Sequence, residues 1–336
     1  MNIKAQDLEV FILTCNRAGL LRKAIESLLR QTVVGFPITV LDNASSDDTA
    51  AVVANFQNPA VRIVTSERNV GGLGNTRRGQ QLAARKFVML FHDDDQLHPA
   101  YIETVLSHLG RHPDVALVVS NSINIEAGSV PAVPASVDQT CLKLDYVHFA
   151  SVCYLKNKVA FSSAVYRTDV LKSLDLAGLA ADYGKWADRP IMIEGLHNRP
   201  GLFLEGAFTY SGRHPGQDQH SKQTQPPHTS WLNRERYFKN ILGDDWAAFS
   251  GKCFCMQSHR RLKSGYKRRI VEGIKFAAYL QDAFAIGATT AKAWRFRFVA
   301  LKPAQSLFNR YAKRYLHRHF QAAMPADSKR AAWPSG

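Results

Sequence analysis

No segment of this 336-residue chain reaches the roughly 20 apolar residues that a membrane-spanning helix needs. The N-terminal MNIKAQDLEVF also lacks the basic-then-apolar order of a secretory signal. Together these absences predict a cytoplasmic location, free or peripheral on the cytoplasmic membrane face. Cysteine is scarce: Cys15, Cys141, Cys153, Cys253 and Cys255 are odd in number and scattered, which fits reduced thiols better than a disulfide framework. The Cys253-Phe-Cys255 spacing is wrong for a zinc knuckle. No Gly-Lys-Ser/Thr phosphate loop occurs, and the glycine-rich stretch from Gly71 misses G-x-G-x-x-G because Arg77 stands where the last glycine would be. The P-loop and dinucleotide readings are therefore weak. No internal repeat is present, which excludes a solenoid.

Negative charge is in short supply, with 28 Asp and Glu against 43 Lys and Arg. The excess is not spread evenly. From Gln257 to Gly336 there are 17 Lys and Arg against 3 acidic residues, so +14 of the formal +15 lies in the last quarter. There, segments such as GYKRRIVEGIKFAAYLQDAFA interleave basic and aromatic residues. Such a pattern suits an anionic membrane surface, or equally a helical region with a solvated basic face.

The hydrophobic fraction of 46% is enough for a sizeable core. Over the first 120 residues, short apolar runs alternate with helix-patterned stretches, the signature of βα units feeding a parallel sheet. Strands are predicted at Glu9–Thr14, Ile38–Asp42, Val61–Thr65, Phe87–Phe91 and Val115–Ser120. Helices are predicted in GLLRKAIESLLRQ, SSDDTAAVVANF, GNTRRGQQLAARK and AYIETVLSHLG. Further on, KVAFSSAVYR reads as a strand and ADRPIMIEGLHN as a helix opening at its proline. GRHPGQDQHSKQTQPPHTS reads as a loop. Residues 1–216 are expected to form one α/β domain. Residues 217–336 are expected to form a mostly helical basic region ending in a disordered tail.

Ligands of such sheets bind beyond the carboxyl ends of the strands. Four polar segments fall there: Thr14–Arg17, Asp42–Asp48, Arg68–Asn75 and the aspartates of FHDDDQLHP. Ser45 or Ser46 capping a helix, with Asp47 and Asp48 on its dipole, accounts for most of LDNASSDDT. It leaves Asp42 unexplained, and a carboxylate there can accept hydrogen bonds from a base or ribose. Asn69, Gly71, Gly72 and Arg77 belong to a glycine-rich strand-to-helix turn, where backbone N–H groups and the helix N-terminus suit a phosphate. Of Arg77 and Arg78, one can reach a phosphate and the other solvent. Asp93, Asp94 and Asp95 repel one another at a strand end unless a positive group sits among them. Mg²⁺ or Mn²⁺ carrying a nucleoside diphosphate meets that need.

The blocks FILTCNR, VLDNASSDDT, RNVGGLGN and FHDDDQLHP, in this order, resemble those of the family 2 glycosyltransferases. The resemblance covers roughly residues 8–216. It implies an α/β fold of the GT-A type: a Rossmann-like, mostly parallel sheet flanked by helices, here with a basic helical C-terminal region. It also implies a metal-dependent, inverting transfer of one sugar from a nucleotide-diphosphate sugar donor to a glycan or lipid-linked acceptor in bacterial surface polysaccharide synthesis. Thr14, Asn16, Arg17 and Asp42 then hold the nucleotide. The D-x-D type motif of Asp93, Asp94 and Asp95 holds metal and diphosphate. Many members have an aspartate where this chain has His92, so the register of the motif is open. Asp188, in KWADRPIMIEGL, corresponds to the catalytic base, and His214, in SGRHPGQDQHS, to a histidine near the metal or diphosphate. Helix capping and an exposed loop are the bland roles for these two. The rival readings are a nucleotidyltransferase, which shares metal, nucleotide and fold, and a basic nucleic-acid-binding protein. The carboxylate rim would repel a nucleic-acid backbone, so no nucleic-acid partner is expected.

Overall fold

The computed structural model describes residues 3–155, 159–214 and 236–243. Its elements are β1 (Leu8–Thr14), α1 (Ala18–Leu29), β2 (Ile38–Asp42), α2 (Thr49–Ala54), β3 (Val61–Thr65), α3 (Gly71–Leu82), β4 (Phe87–His92), β5 (Asp95–Leu97) and α4 (Tyr101–Arg111). There follow β6 (Leu117–Glu126), β7 (Cys141–Leu144), α5 (Tyr146–Leu155), β8 (Val165–Arg167), α6 (Thr168–Ser173), α7 (Leu176–Tyr183), α8 (Asp188–Glu194) and β9 (Gly201–Arg213). Among the described residues the sheet has the order β3-β2-β1-β4-β8-β6-β9-β5, with β7 paired to β9.

Parallel pairing runs through β3, β2, β1 and β4, the half built from the βα units. Every residue of β1 and β2 is buried, as expected of strands covered on both faces. Val10, Ile12, Val40, Met89 and Phe91 pack there with Leu21, Ile25 and Leu28 of α1 and Ile102 and Val105 of α4. The later strands mix directions: β8 is antiparallel to β4 and to β6, while β6 and β9 run parallel.

Some boundaries differ from the sequence expectation. The strand predicted at Val115–Ser120 begins at Leu117 and continues to Glu126, passing register shifts between Ser120 and Ser122. That irregularity admits polar residues the apolar run did not announce. KVAFSSAVYR is not one strand. Val159 makes a single bridge to Asn121, Phe161–Ser163 is a 3₁₀ turn, and only Val165–Arg167 is strand. The serines divert the backbone: Ser163 Oγ donates to Ala160 O and accepts from Ser120 N. α3 begins at Gly71, three residues earlier than predicted. Gly212 and Arg213 extend β9 rather than opening a loop.

Contacts divide the chain into two units. The described part of the smaller one is 150–155 and the helix at 236–243, where the Tyr154 and Phe238 rings meet with centroids 4.7 Å apart. The rest of the helical region and tail expected over residues 217–336 lies outside the described residues, as does Cys253-Phe-Cys255. Cys15 and Cys141 are free thiols. No described helix is long and apolar enough to cross a membrane.

Candidate active site

Parallel register sets the site, because it aligns the ends of neighbouring strands. Thr14 lies beside Asp42, and Leu13 beside His92. The turn after β4 consequently delivers Asp93 to the end of β1. Thr14 Oγ1 donates to Asp93 Oδ2 at 2.7 Å, and Arg17 Nη1 lies 3.2 Å from Asp93 Oδ1. Asp93 is only 2% exposed, and burial pushes its carboxyl up to about 6, although Arg17 opposes the shift.

Asp94 and Asp95 face other partners. His214 Nε2 lies 3.3 Å from Asp94 Oδ2, within ion-pair reach but without the alignment of a hydrogen bond. Asp95 opens β5, which runs antiparallel to β9, and its Oδ1 accepts from Gly212 N at 3.0 Å. Burial, then the charge of Asp94, raises the Asp95 carboxyl to about 7. Gly212 has a steric reason to be glycine: a Cβ there would sit 2.0 Å from the Asp94 carbonyl oxygen. Hence β9 can run close enough to bring His214 to the aspartates.

His92 closes β4. Its backbone N donates to Ser162 Oγ at 3.1 Å, and its ring stacks on Phe161 with centroids 5.2 Å apart. Burial alone would lower its pKa. The carboxylates of Asp188, Asp94, Asp95 and Asp93 outweigh burial and raise it. Asp188 is thus close enough to act on the cluster, from the first residue of α8. Ala187 is the residue before that helix, so Asp188 stands at its first position rather than at the cap. Pro190 sits in the first turn of α8, where a missing N–H costs nothing.

His92, Asp94 and Asp95 each present a ligand atom, all within 4.8 Å of one another. Carboxylate oxygens with one imidazole fit a divalent cation. Asp93, locked onto Thr14 and Arg17, stands apart from that trio. Beside the three aspartates stand the Arg17 guanidinium, against Asp93, and the rings of His92 and His214.

The neighbouring loops are built from side-chain bonds to backbone. Asp42 is 3% exposed and its Oδ1 accepts from Ser45 N at 3.1 Å. Asn16, with φ of 52°, accepts from Ser46 N, and its own N donates to Ser45 Oγ. The two serines therefore tie loops together instead of capping α2. Asp47 takes the bonds from Ala18 N and Thr49 N. Asn43 is a residue whose weight the sequence did not reveal. Its Nδ2 donates to Asn69 Oδ1 at 2.9 Å, and its Oδ1 accepts from Val70 N at 2.9 Å. This clamp fixes the glycine turn, in which Gly71 has φ of 75° and its N donates to Asn69 Oδ1. Gly72 O accepts from Thr76 Oγ1 one turn on. Arg77 is exposed, whereas Arg78 bonds the carbonyls of Asp42 and Val64. Ser162 and Gly212 join Asn43 as site residues that the sequence reading did not single out.

Residues 9–172 match the model described as Glycosyl transferase family 2. A Campylobacter jejuni GalNAc(5)-diNAcBac-PP-undecaprenol beta-1,3-glucosyltransferase is 37% identical over 102 residues, covering 30% of this chain and 33% of that protein. The succinoglycan biosynthesis protein ExoO of Rhizobium meliloti is 32% identical over 96 residues, covering 29% and 28% respectively. The chain thus spans about a third of the length of these curated relatives. Among solved structures, S. aureus TarS 1-349 with UDP-GlcNAc superposes with a TM-score of 0.53 at 16% identity, covering 72% of this chain and 71% of that one. The same protein with UDP gives 0.54 over 83% and 80%. These likenesses match the fold, a mixed α/β sheet of the GT-A glycosyltransferase type.

Proposed function

We propose, from the match of residues 9–172 to the Glycosyl transferase family 2 model, that this chain moves one sugar from a nucleotide-diphosphate donor to an acceptor hydroxyl, with inversion. The observation that carries the reading is the convergence at one rim. Thr14 and Arg17 hold Asp93 while Asp94, Asp95, His92 and His214 gather beside it. Asp42 and the strand ends receive the base and ribose. The clamped turn at Asn69, Gly71 and Gly72, the N-terminus of α3 and Arg77 receive phosphate oxygens. Asp94 and Asp95 would hold Mn²⁺ or Mg²⁺, which would supply positive charge for the departing diphosphate. Asp188 takes the proton from the acceptor hydroxyl as its oxygen bonds to the anomeric carbon and the carbon–oxygen bond to the diphosphate breaks. The products are a glycosylated acceptor and a nucleoside diphosphate.

The relatives' names support a bacterial polysaccharide setting and a lipid-linked or glycan acceptor. The basic residues from Gln257 onward would hold the enzyme at an anionic cytoplasmic leaflet where such an acceptor resides. One assay tests both parts. The full chain is incubated with Mn²⁺, nucleotide-sugars and anionic vesicles carrying lipid-linked glycan. Release of nucleoside diphosphate, enhanced by the vesicles and weakened by salt, is expected. Use of a nucleoside triphosphate with release of pyrophosphate would mean a nucleotidyltransferase.

A further inference from the structure

The trio of groups near enough to share one cation includes an imidazole, His92, which stands where a carboxylate would complete an all-oxygen set. Its placement is rigid. The backbone is fixed by the bond from His92 N to Ser162 Oγ, and the ring by its stack on Phe161. Ser162, fully buried, also bonds the Asp95 carboxyl, so one hydroxyl orients two members of the trio. Asp95 is further held by Gly212 N. Outer bonds of this kind fix ligand direction and commonly govern metal affinity. His214 has a different relation to the cluster. It approaches Asp94 from β9's end and is not among the three groups that lie within mutual reach.

We propose that His92, together with Asp94 and Asp95, forms a one-nitrogen, two-carboxylate seat that selects a transition-series cation, Mn²⁺ in particular, over Mg²⁺. Mg²⁺ prefers oxygen and water in near-ideal octahedral geometry, whereas an imidazole suits the first-row transition ions. Replacing a third carboxylate by a neutral ring also removes one negative charge, weakening the attraction for a hard cation most. Asp93 is left to Thr14 and Arg17, which answers which aspartates face the cation. The inference rests on the metal-assisted reading above and refines it.

The experiment uses the full chain and Mn²⁺ alone. Electron spin echo spectroscopy of bound Mn²⁺ detects a directly coordinated nitrogen, so wild type should show the nitrogen modulation without any mutation. His92→Gln should abolish it and lower Mn²⁺ affinity by at least about tenfold, while His214→Gln should retain it. In His92→Asp the ratio of Mn²⁺ to Mg²⁺ affinity, measured by calorimetry, should fall by about tenfold. Bound Mn²⁺ without nitrogen modulation in wild type overturns the proposal irrespective of how the variants fold. Modulation that survives in His92→Gln, or vanishes only in His214→Gln, overturns it too. In either case the metal-assisted reading stands. Failure of wild type to bind any divalent cation, with or without nucleoside diphosphate, removes both.

Discussion

Asp188 is the residue on which the proposed chemistry turns, because a base acts on the acceptor proton and touches the donor little. Asp188→Asn keeps the side-chain shape and removes the basicity. It should lower turnover by about a hundredfold to ten-thousandfold with donor affinity nearly unchanged. Transfer rate and donor binding measured on the same preparation check this. Turnover within about threefold of wild type would move the search to Asp182 or Glu194. At this scale the sequence was most legible where a residue sits in a multi-residue block: Thr14, Arg17, Asp42 and the three aspartates all lie at strand ends aligned by parallel register. It was least legible where a residue's role comes from a partner far along the chain. Ser162 meets His92 across 70 residues, and Gly212 meets Asp95 across 117. Nothing local marks either. Asn43 could have been suspected from its place beside Asp42, but its clamp on Asn69 and Val70 needed the fold.

The junction of α3 with the sheet shows how an element is positioned by two side chains. Arg78 donates from Nη1 to Asp42 O at 3.0 Å and to Asn75 Oδ1, and from Nη2 to Val64 O at 3.1 Å. Asn75 Nδ2 donates to Leu41 O at 2.7 Å. Together they tie the start of α3 to the last residues of β2 and β3, where the donor is proposed to sit. Arg78→Ala strands those carbonyls and should destabilise the protein by about 2 kcal/mol in denaturant unfolding. Arg77→Ala, at an exposed position, should stay within about 0.5 kcal/mol of wild type and weaken donor binding instead. Equal stability losses would mean that the two arginines are not divided in this way. The adjacent Arg-Arg pair could not be divided from sequence, since both lie one turn into a helix and only the packing of that helix decides which faces the sheet. The early start of α3 was hidden for a related reason: glycines read as loop, yet Gly71 with its left-handed φ is what turns the chain into the helix. The broken strand at Val159–Arg167 was hidden because serine hydroxyls, not apolar alternation, set its backbone.

For the whole molecule, two charge features stand apart in sequence: an acidic rim at the strand ends of the described unit, and the basic excess after Gln257. The rim holds more negative charge than its own side chains readily neutralise. Burial raises Asp93 to about 6 and Asp95 to about 7. A cation that needs the ionised Asp95 carboxylate must displace its proton, so its affinity should climb as the pH rises from about 6 to about 8, with proton release. The rim is proposed to bind a nucleoside diphosphate through a divalent cation. Isothermal titration of a panel of nucleoside diphosphates into the full chain, with and without Mn²⁺ and at both pH values, tests this against Asp94→Ala/Asp95→Ala. Wild type should bind at least one of them in an Mn²⁺-dependent manner and more tightly at the higher pH. The double variant, relieved of like-charge repulsion and still folded, should lose the Mn²⁺-dependent part. Undiminished Mn²⁺-dependent binding in the folded double variant would contradict the account.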